Sequence, residues 1–293
     1  MSSIHARWRY GLSTLAAAGL VATMVVSASA QQPADPDPGT LTITGRIDFL
    51  NQYIFRGVRQ TSTGIAMWPV GDLGIRVHSG DGALKVVRIN VGAWNSLHTG
   101  DTGSDGPPGK LWYESRFSGT LGLRFGGGVS LDTTYTAFTS PNDMFTTVKE
   151  MAVRLAVDDR AALGGAALRP YALVAFEVDA APGEGQLDGG LHAGKYLELG
   201  ITPGFAAGRA SIAFPVSLGL SLGNYYELAN EDHAFGFASV AGIVSVPLRR
   251  PTSFGAWNVH AGVEYQAFGN TTKAFNGGDG SKVIGSIGIG FSY

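Results

Sequence analysis

Serine and histidine are the residues with which this chain would have to build nucleophilic chemistry, because its 293 residues include no cysteine. The missing thiol excludes disulfides, Cys-ligated zinc, iron–sulfur clusters and thiol catalysis. A serine nucleophile needs a histidine within hydrogen-bond reach and a third group to orient the ring. On a membrane barrel that hydrolyses lipid, the two must also share the outward face of a strand. Of the six histidines, His5 belongs to an N-terminal leader and His98, His192 and His233 fall between strand-like segments. His78 and His260 have inward parity, with no serine two residues on. The expectation is that the chain is not an enzyme.

Metal and phosphate chemistry find no better material. The histidines lack the i, i+2 or i, i+4 pairing of a zinc site, and the acidic stretches 101–105 and 276–279 lack a full calcium ligand set. The glycine clusters 126–128 and 277–280 follow no strand-to-helix pattern, so they do not read as phosphate loops. No metal and no cofactor is expected. With 21 basic against 23 acidic residues, the chain has no basic field to hold nucleic acid.

What remains is charge in alternation with grease. From Thr40 the odd positions read Leu41, Ile43, Gly45, Ile47 and Phe49, while the even ones read Thr42, Thr44, Arg46 and Asp48. Side chains of a strand alternate between faces, so this pattern fits a strand with lipid on one side and water on the other. Extending the parity along the chain gives the candidate pore lining: Arg46, Asp48, Arg56, Asp72, Arg76, Glu114, Arg116, Arg124, Asp132, Glu150, Arg154 and Glu264. Arg88, Arg169, Lys282, Glu177, Asp179 and Glu198 share that face, which brings the two signs to about nine each. A strongly selective pore carries rings of one sign, so this balance implies weak charge selectivity. Trp68, Trp94, Trp112 and Tyr171 have lumen parity and read as space-filling groups or as the lining of a path for sugars or aromatic solutes.

Twelve segments carry the alternation: 40–56, 65–78, 84–96, 110–125, 129–139, 147–157, 168–179, 194–203, 210–223, 234–246, 255–268 and 282–293. Their connections alternate between longer loops rich in Gly, Asp and Asn and shorter turns, as in outer-membrane barrels with long external loops and short periplasmic turns. Charged residues are only 15 % of the chain and 43 residues are glycine, a composition ill suited to an ordinary soluble domain. Residues 1–30 read as a cleaved signal peptide ending in Ala28-Ser29-Ala30, and residues 31–39 as a proline-rich periplasmic leader. The barrel is assigned to 40–293. The expected fold is all-β: a transmembrane antiparallel up-and-down β-barrel of about 12 strands, give or take one hairpin.

The stretch Asn51-Gln52-Tyr53-Ile54-Phe55-Arg56-Gly57-Val58-Arg59-Gln60-Thr61 resembles the Asn-x-Tyr-x-Phe-Arg-Gly-x-Ser-Gln signature of the TorF-type porin family, with Arg59 where the family has a small polar residue. The resemblance covers about ten residues and rests on Tyr53, Phe55, Arg56, Gly57 and Gln60. It implies an outer-membrane barrel with pore function and no catalytic residues. The closing strand, with Phe291 and the final Tyr293 on one face, is similar to the terminal signal by which such barrels are recognised for insertion. Parity puts Tyr53 and Phe55 outside, in the upper aromatic girdle, and Arg56 inside, where it helps shape the pore, pins the first loop or forms a structural ion pair. The function expected is an outer-membrane porin-like channel for passive diffusion of small polar solutes. The alternative is a non-conducting structural or adhesive barrel acting through its external loops. The expected partners are outer-membrane lipids, the barrel-assembly machinery and small polar solutes, with both termini periplasmic in a Gram-negative cell and the oligomeric state open.

Overall fold

The computed structural model describes residues 40–61, 63–100, 111–178, 187–248 and 255–293. The expected signal peptide and leader lie outside the described residues, as does Asp179. Eighteen strands form: β1 (Leu41–Leu50), β2 (Ile54–Phe55), β3 (Val58–Arg59), β4 (Ala66–Ser79), β5 (Leu84–His98), β6 (Trp112–Phe125), β7 (Val129–Thr139), β8 (Val148–Val157), β9 (Tyr171–Val178), β10 (Lys195–Ile201), β11 (Gly204–Ala207), β12 (Ala210–Ala213), β13 (Val216–Gly223), β14 (Glu227–Leu228), β15 (Glu231–Asp232), β16 (Phe235–Pro247), β17 (Ala256–Phe268) and β18 (Ser281–Ser292). Among the described residues, two short helices, α1 (Arg160–Leu163) and α2 (Asn270–Phe275), lie in connections.

Twelve of these strands close a ring in the order β1-β4-β5-β6-β7-β8-β9-β10-β13-β16-β17-β18, with β18 back on β1 and every pairing antiparallel. Closure removes the unpaired edges that an open sheet would present to lipid. The β11–β12 hairpin continues β10 and β13 beyond a break at Pro203 and Pro215, residues that cannot donate to the ladder. The two strand directions therefore still count as one hairpin of the twelve, which agrees with the expected number.

Both ends of the described chain meet at one rim of the barrel. Tyr293 and Ile43 exchange main-chain hydrogen bonds of 2.8 Å at this rim, the terminal end of the barrel. The tight turn after β6 is made by Gly126–Gly128, where Gly128 has φ +79° and a Cβ would sit 2.2 Å from the Asp158 carbonyl oxygen. Glycine is required there by both conformation and space.

The outward face forms an apolar belt. Ile47, Phe49, Val77, Ile89, Val91, Phe117, Val263 and Ile287 all point away from the bore and are exposed. A continuous exposed apolar band around a closed barrel is stable in lipid and not in water, so the barrel is transmembrane.

The structure departs from strict alternation in two places that matter for the site. The first strand ends at Leu50 instead of running to Arg56. Asn51 caps it by exchanging hydrogen bonds with Gly285, 3.2 Å from its N–H to the carbonyl and 2.9 Å from the Gly285 N–H to its Oδ1, and the chain then leaves the sheet. In β6 a bulge places Glu114 opposite Ser96 but Trp112 opposite Leu97, so Tyr113 is the extra residue. The bulge reverses the parity above it: Tyr113 turns inward and is fully buried, while Trp112, expected inside, is exposed outside.

Candidate functional site

The segment that leaves β1 folds into the bore at the loop end. Its centre is the β2–β3 hairpin, a two-stranded sheet separate from the barrel sheet. The turn between these strands is Arg56-Gly57, with φ of 43° and 84°. Two successive positive φ values are what a two-residue hairpin turn of the primed type demands. Gly57 suits it, and a Cβ there would also stand 3.0 Å from Phe237 Cβ and Thr272 Cγ2. Arg56 adopts this conformation against its intrinsic preference, held by its side chain and by Tyr226, whose hydroxyl donates to the Arg56 carbonyl at 3.0 Å. Asn276, just after α2, clamps the hairpin from the side: its Nδ2 donates to the Gly57 carbonyl and its Oδ1 accepts from the Arg59 N–H, both at 2.8 Å.

Tyr53 and Phe55 are therefore not girdle residues. Both are fully buried inside the barrel, because the sheet register that would have pointed them outward ends three residues before Tyr53. Two arginine nodes hold them. Arg56 makes a two-pronged ion pair with Glu150 at 2.8 and 3.1 Å, donates to the Tyr225 hydroxyl at 2.8 Å and lies 3.8 Å over the Tyr196 ring. Arg116 donates to Glu114 at 2.6 Å and to the Tyr53 hydroxyl, and stacks 4.0 Å over Trp94. Tyr53 in turn donates to Glu114 at 2.9 Å. The Phe55 ring sits between the two guanidinium carbons, 5.2 Å from Arg56 and 5.0 Å from Arg116. Gln60 accepts the Tyr113 hydroxyl hydrogen bond at 2.7 Å.

This layer is dry. Tyr53, Phe55, Gln60, Tyr113, Glu114, Arg116, Phe138, Glu150, Tyr196, Tyr225 and Tyr226 are all buried, and the gap between Phe55, Arg56, Leu187 and Tyr225 is about 10 Å³. Such a gap holds one water at most. Buried guanidiniums and carboxylates are tolerable only when paired and hydrogen-bonded as they are here.

The remaining candidates face the bore from other heights. Asp48 accepts from Arg46 at 2.7 Å and lies 2.6 Å from His260 Nε2. Asp72 accepts from Asn90 at 2.6 Å, and Arg124 donates to Asp132 at 2.5 Å. Arg76 stands opposite Arg88, and Arg154 lies 4.5 Å over Tyr171. Glu264 accepts from Gln266 at 2.9 Å, above the level of Asp48. Phe291 stacks on Trp257 at 5.0 Å on the outward face, and Tyr293 is exposed at the terminal rim.

Sequence reasoning missed Tyr196, Tyr225, Tyr226 and Asn276, which complete the inward layer. Two adjacent tyrosines in what reads as a solvated loop are the signal that was available. His98 also differs from expectation, lying in β5 and not in a loop. Its Nε2 is 2.7 Å from Ser96 Oγ, which also accepts from Trp68 at 3.0 Å. Both Ser96 and His98 are buried among the rings of Tyr53, Trp68 and Tyr113, away from the lipid-facing wall. Among the described residues, no three His, Asp or Glu side chains converge as metal ligands.

No family model and no curated protein matches the chain. Solved structures similar to it are barrels of comparable length. An outer membrane channel from Pseudomonas putida F1 is 11 % identical with a TM-score of 0.49, covering 90 % of this chain and 100 % of that one. Outer membrane phospholipase A from Escherichia coli is 11 % identical at 0.43, covering 85 % and 92 %. The translocator domain of an autotransporter from Neisseria meningitidis is 11 % identical at 0.40, covering 88 % and 90 %.

Proposed function

We propose that this barrel is an outer-membrane channel for passive diffusion of small polar solutes, closed in the present conformation by its own residues 51–61. The observation that carries the reading is the way the bore is blocked. The obstruction is not barrel wall but a separate hairpin, attached through side chains and a few main-chain contacts and not through the barrel ladder. Below it, Arg76, Arg88, Arg124 and Arg154 remain half exposed within a wall of twelve strands. Twelve strands enclose more space than the eight whose inward side chains fill a barrel. The short motif resembling TorF-type porins is the obstructing hairpin itself, which gives that resemblance a physical role. On this reading the termini are periplasmic, and solute would enter the terminal half from the periplasm and pass outward only when the hairpin yields.

The dry layer also favours a second reading, a non-conducting structural barrel. Purified protein in planar bilayers separates the two. The channel reading expects rare or small conductance steps from the native chain and frequent larger steps from Arg56→Ala, which releases the hairpin. Silence from both, with the barrel folded, would leave the structural reading standing.

A further inference from the structure

The terminal half of the bore carries a cationic patch whose geometry goes beyond balanced wall charge, and its meaning rests on the channel reading above. Arg76 on β4 stands directly opposite Arg88 on β5. Across the next pairing Val86 faces Arg124 and Arg88 faces Gly122, so Arg124 lies one diagonal step from Arg88. Like charges directly opposite each other destabilise a sheet, and diagonal neighbours remain within reach of long side chains. Arg154 on β8 extends the patch, opposite Asp132 on β7. Among the described residues, Asp72 accepts from Asn90 and lies near Arg88, Asp132 accepts from Arg124, and Glu198 lies near Arg154.

The wall beneath the patch is cleared to receive these side chains. Gly74 and Gly122 face inward; a Cβ at Gly74 would lie 2.6 Å from Thr42 Oγ1 and 3.3 Å from Arg88 Cδ, and one at Gly122 would lie 2.9 Å from Asp132 Oδ1. The side chains of Arg88 and Arg124 therefore run along bare backbone. Arg88 is fixed by donating to Thr42 Oγ1 at 2.7 Å. Like-charged, positioned and accessible guanidiniums are a recognition surface for planar or tetrahedral oxyanions.

We propose that Arg76, Arg88 and Arg124 form a binding site for small soluble oxyanions, carboxylates or phosphates, inside the terminal half of the bore. The channel would then favour anions, in contrast to the weak selectivity expected from an even count of signs. The count misleads because five inward carboxylates, Asp48, Glu114, Glu150, Glu177 and Glu198, are buried, against two inward arginines, Arg56 and Arg116, whereas Arg76, Arg88 and Arg124 are partly exposed.

The test uses the full chain in detergent micelles with inorganic phosphate as probe, followed by titration calorimetry at low ionic strength, with circular dichroism to show that each variant is folded. The native chain is expected to bind phosphate, Arg88→Gln to weaken binding about tenfold, and Arg88→Gln/Arg124→Gln to abolish it. Arg160→Gln, in a turn outside the bore, is expected to bind as the native chain does. Should Arg88→Gln not fold, Arg124→Gln, with its exposed side chain, carries the test. Absence of phosphate binding by the native chain, or binding unchanged in the Arg88 and Arg124 variants, overturns the proposal. Bilayer recordings distinguish the two failures: a conducting barrel that ignores phosphate refutes only this site, and a silent barrel that binds phosphate refutes only the channel.

Discussion

Arg56 and Arg116 at the loop end are each 4 % exposed, whereas the Arg124 side chain at the terminal end is 47 % exposed. All three sit in the same bore and each meets a carboxylate at 2.8 Å or less. Their surroundings separate them. The loop-end pair is enclosed by the rings of Phe55, Trp94 and Tyr196, where water cannot screen the charge. The terminal-end pair faces solvent, where an ion pair contributes little and its arginine can exchange partners. Identical residue types thus serve as fasteners in one half and as a recognition surface in the other, and burial alone decides which.

The largest effect expected from this contrast is at Arg56. Arg56→Ala leaves the Glu150 carboxylate buried without its partner, a loss of about 3–5 kcal/mol by denaturant titration of the micelle-bound barrel. Replacing both charges, as Arg56→Met/Glu150→Leu, should return most of that loss, because the unpaired charge and not the missing bond is what destabilises. A loss below about 1 kcal/mol for Arg56→Ala would place the loop-end node in the same class as a surface pair and break the comparison.

A smaller, local effect is expected from pH at the loop beside the hairpin. Burial pushes the Asp188 carboxyl up to about 7, and the neighbouring Glu227 charge adds to the rise despite N–H donors from Gly190 and Glu227. Glu227 also holds His192, its Oε1 lying 2.7 Å from Nδ1. A carboxyl raised in the folded state stabilises it fully below the unfolded value of 3.8, and that contribution is lost as pH climbs through about 7. Hydrogen-exchange protection of the Gly190 and Glu227 amides, corrected for intrinsic rates, should therefore fall between about pH 4 and about pH 8, and Asp188→Asn should flatten the slope. Protection that rises over this interval would show that Asp188 ionises freely in the folded loop.

The wall was legible in the sequence because a closed barrel between lipid and water imposes period two on every strand, and one glance at Ile47, Asp48 and Phe49 shows it. The alternation of connections even fixed the parity of strands, and the proline breaks at Pro203 and Pro215 did not disturb the count. The inward layer was not legible for two reasons. Parity says which face a residue shares with its neighbours only while the ladder persists, and nothing local in Asn51-Gln52-Tyr53 marks where the ladder stops. A bulge is a one-residue event, so Tyr113 and Trp112 exchanged faces without any compositional trace. Parity groups the charges on one face, but it says nothing of their division between dry and wet halves, which depends on a fold-back of eleven residues that packs against β8, β10 and the Tyr225-Tyr226 loop.

The smallest effect is the sharpest test of the contrast. Arg124→Ala removes a guanidinium that pairs with Asp132 as closely as Arg56 pairs with Glu150, so a view based on pairing distance alone would expect a similar loss of stability. Solvent exposure predicts otherwise. Asp132 can rehydrate when Arg124 is gone, and it retains Arg154 opposite it on β8, so the cost should be about 0–1 kcal/mol in the same denaturant titration. The same variant should weaken phosphate binding, a readout that Arg56→Ala would move only if the barrel itself came apart. A variant that is nearly neutral for folding yet harmful to oxyanion binding is what a recognition residue produces and a fastener does not. Equal stability losses at Arg124 and Arg56 would show instead that the bore is as dry below the hairpin as it is around it.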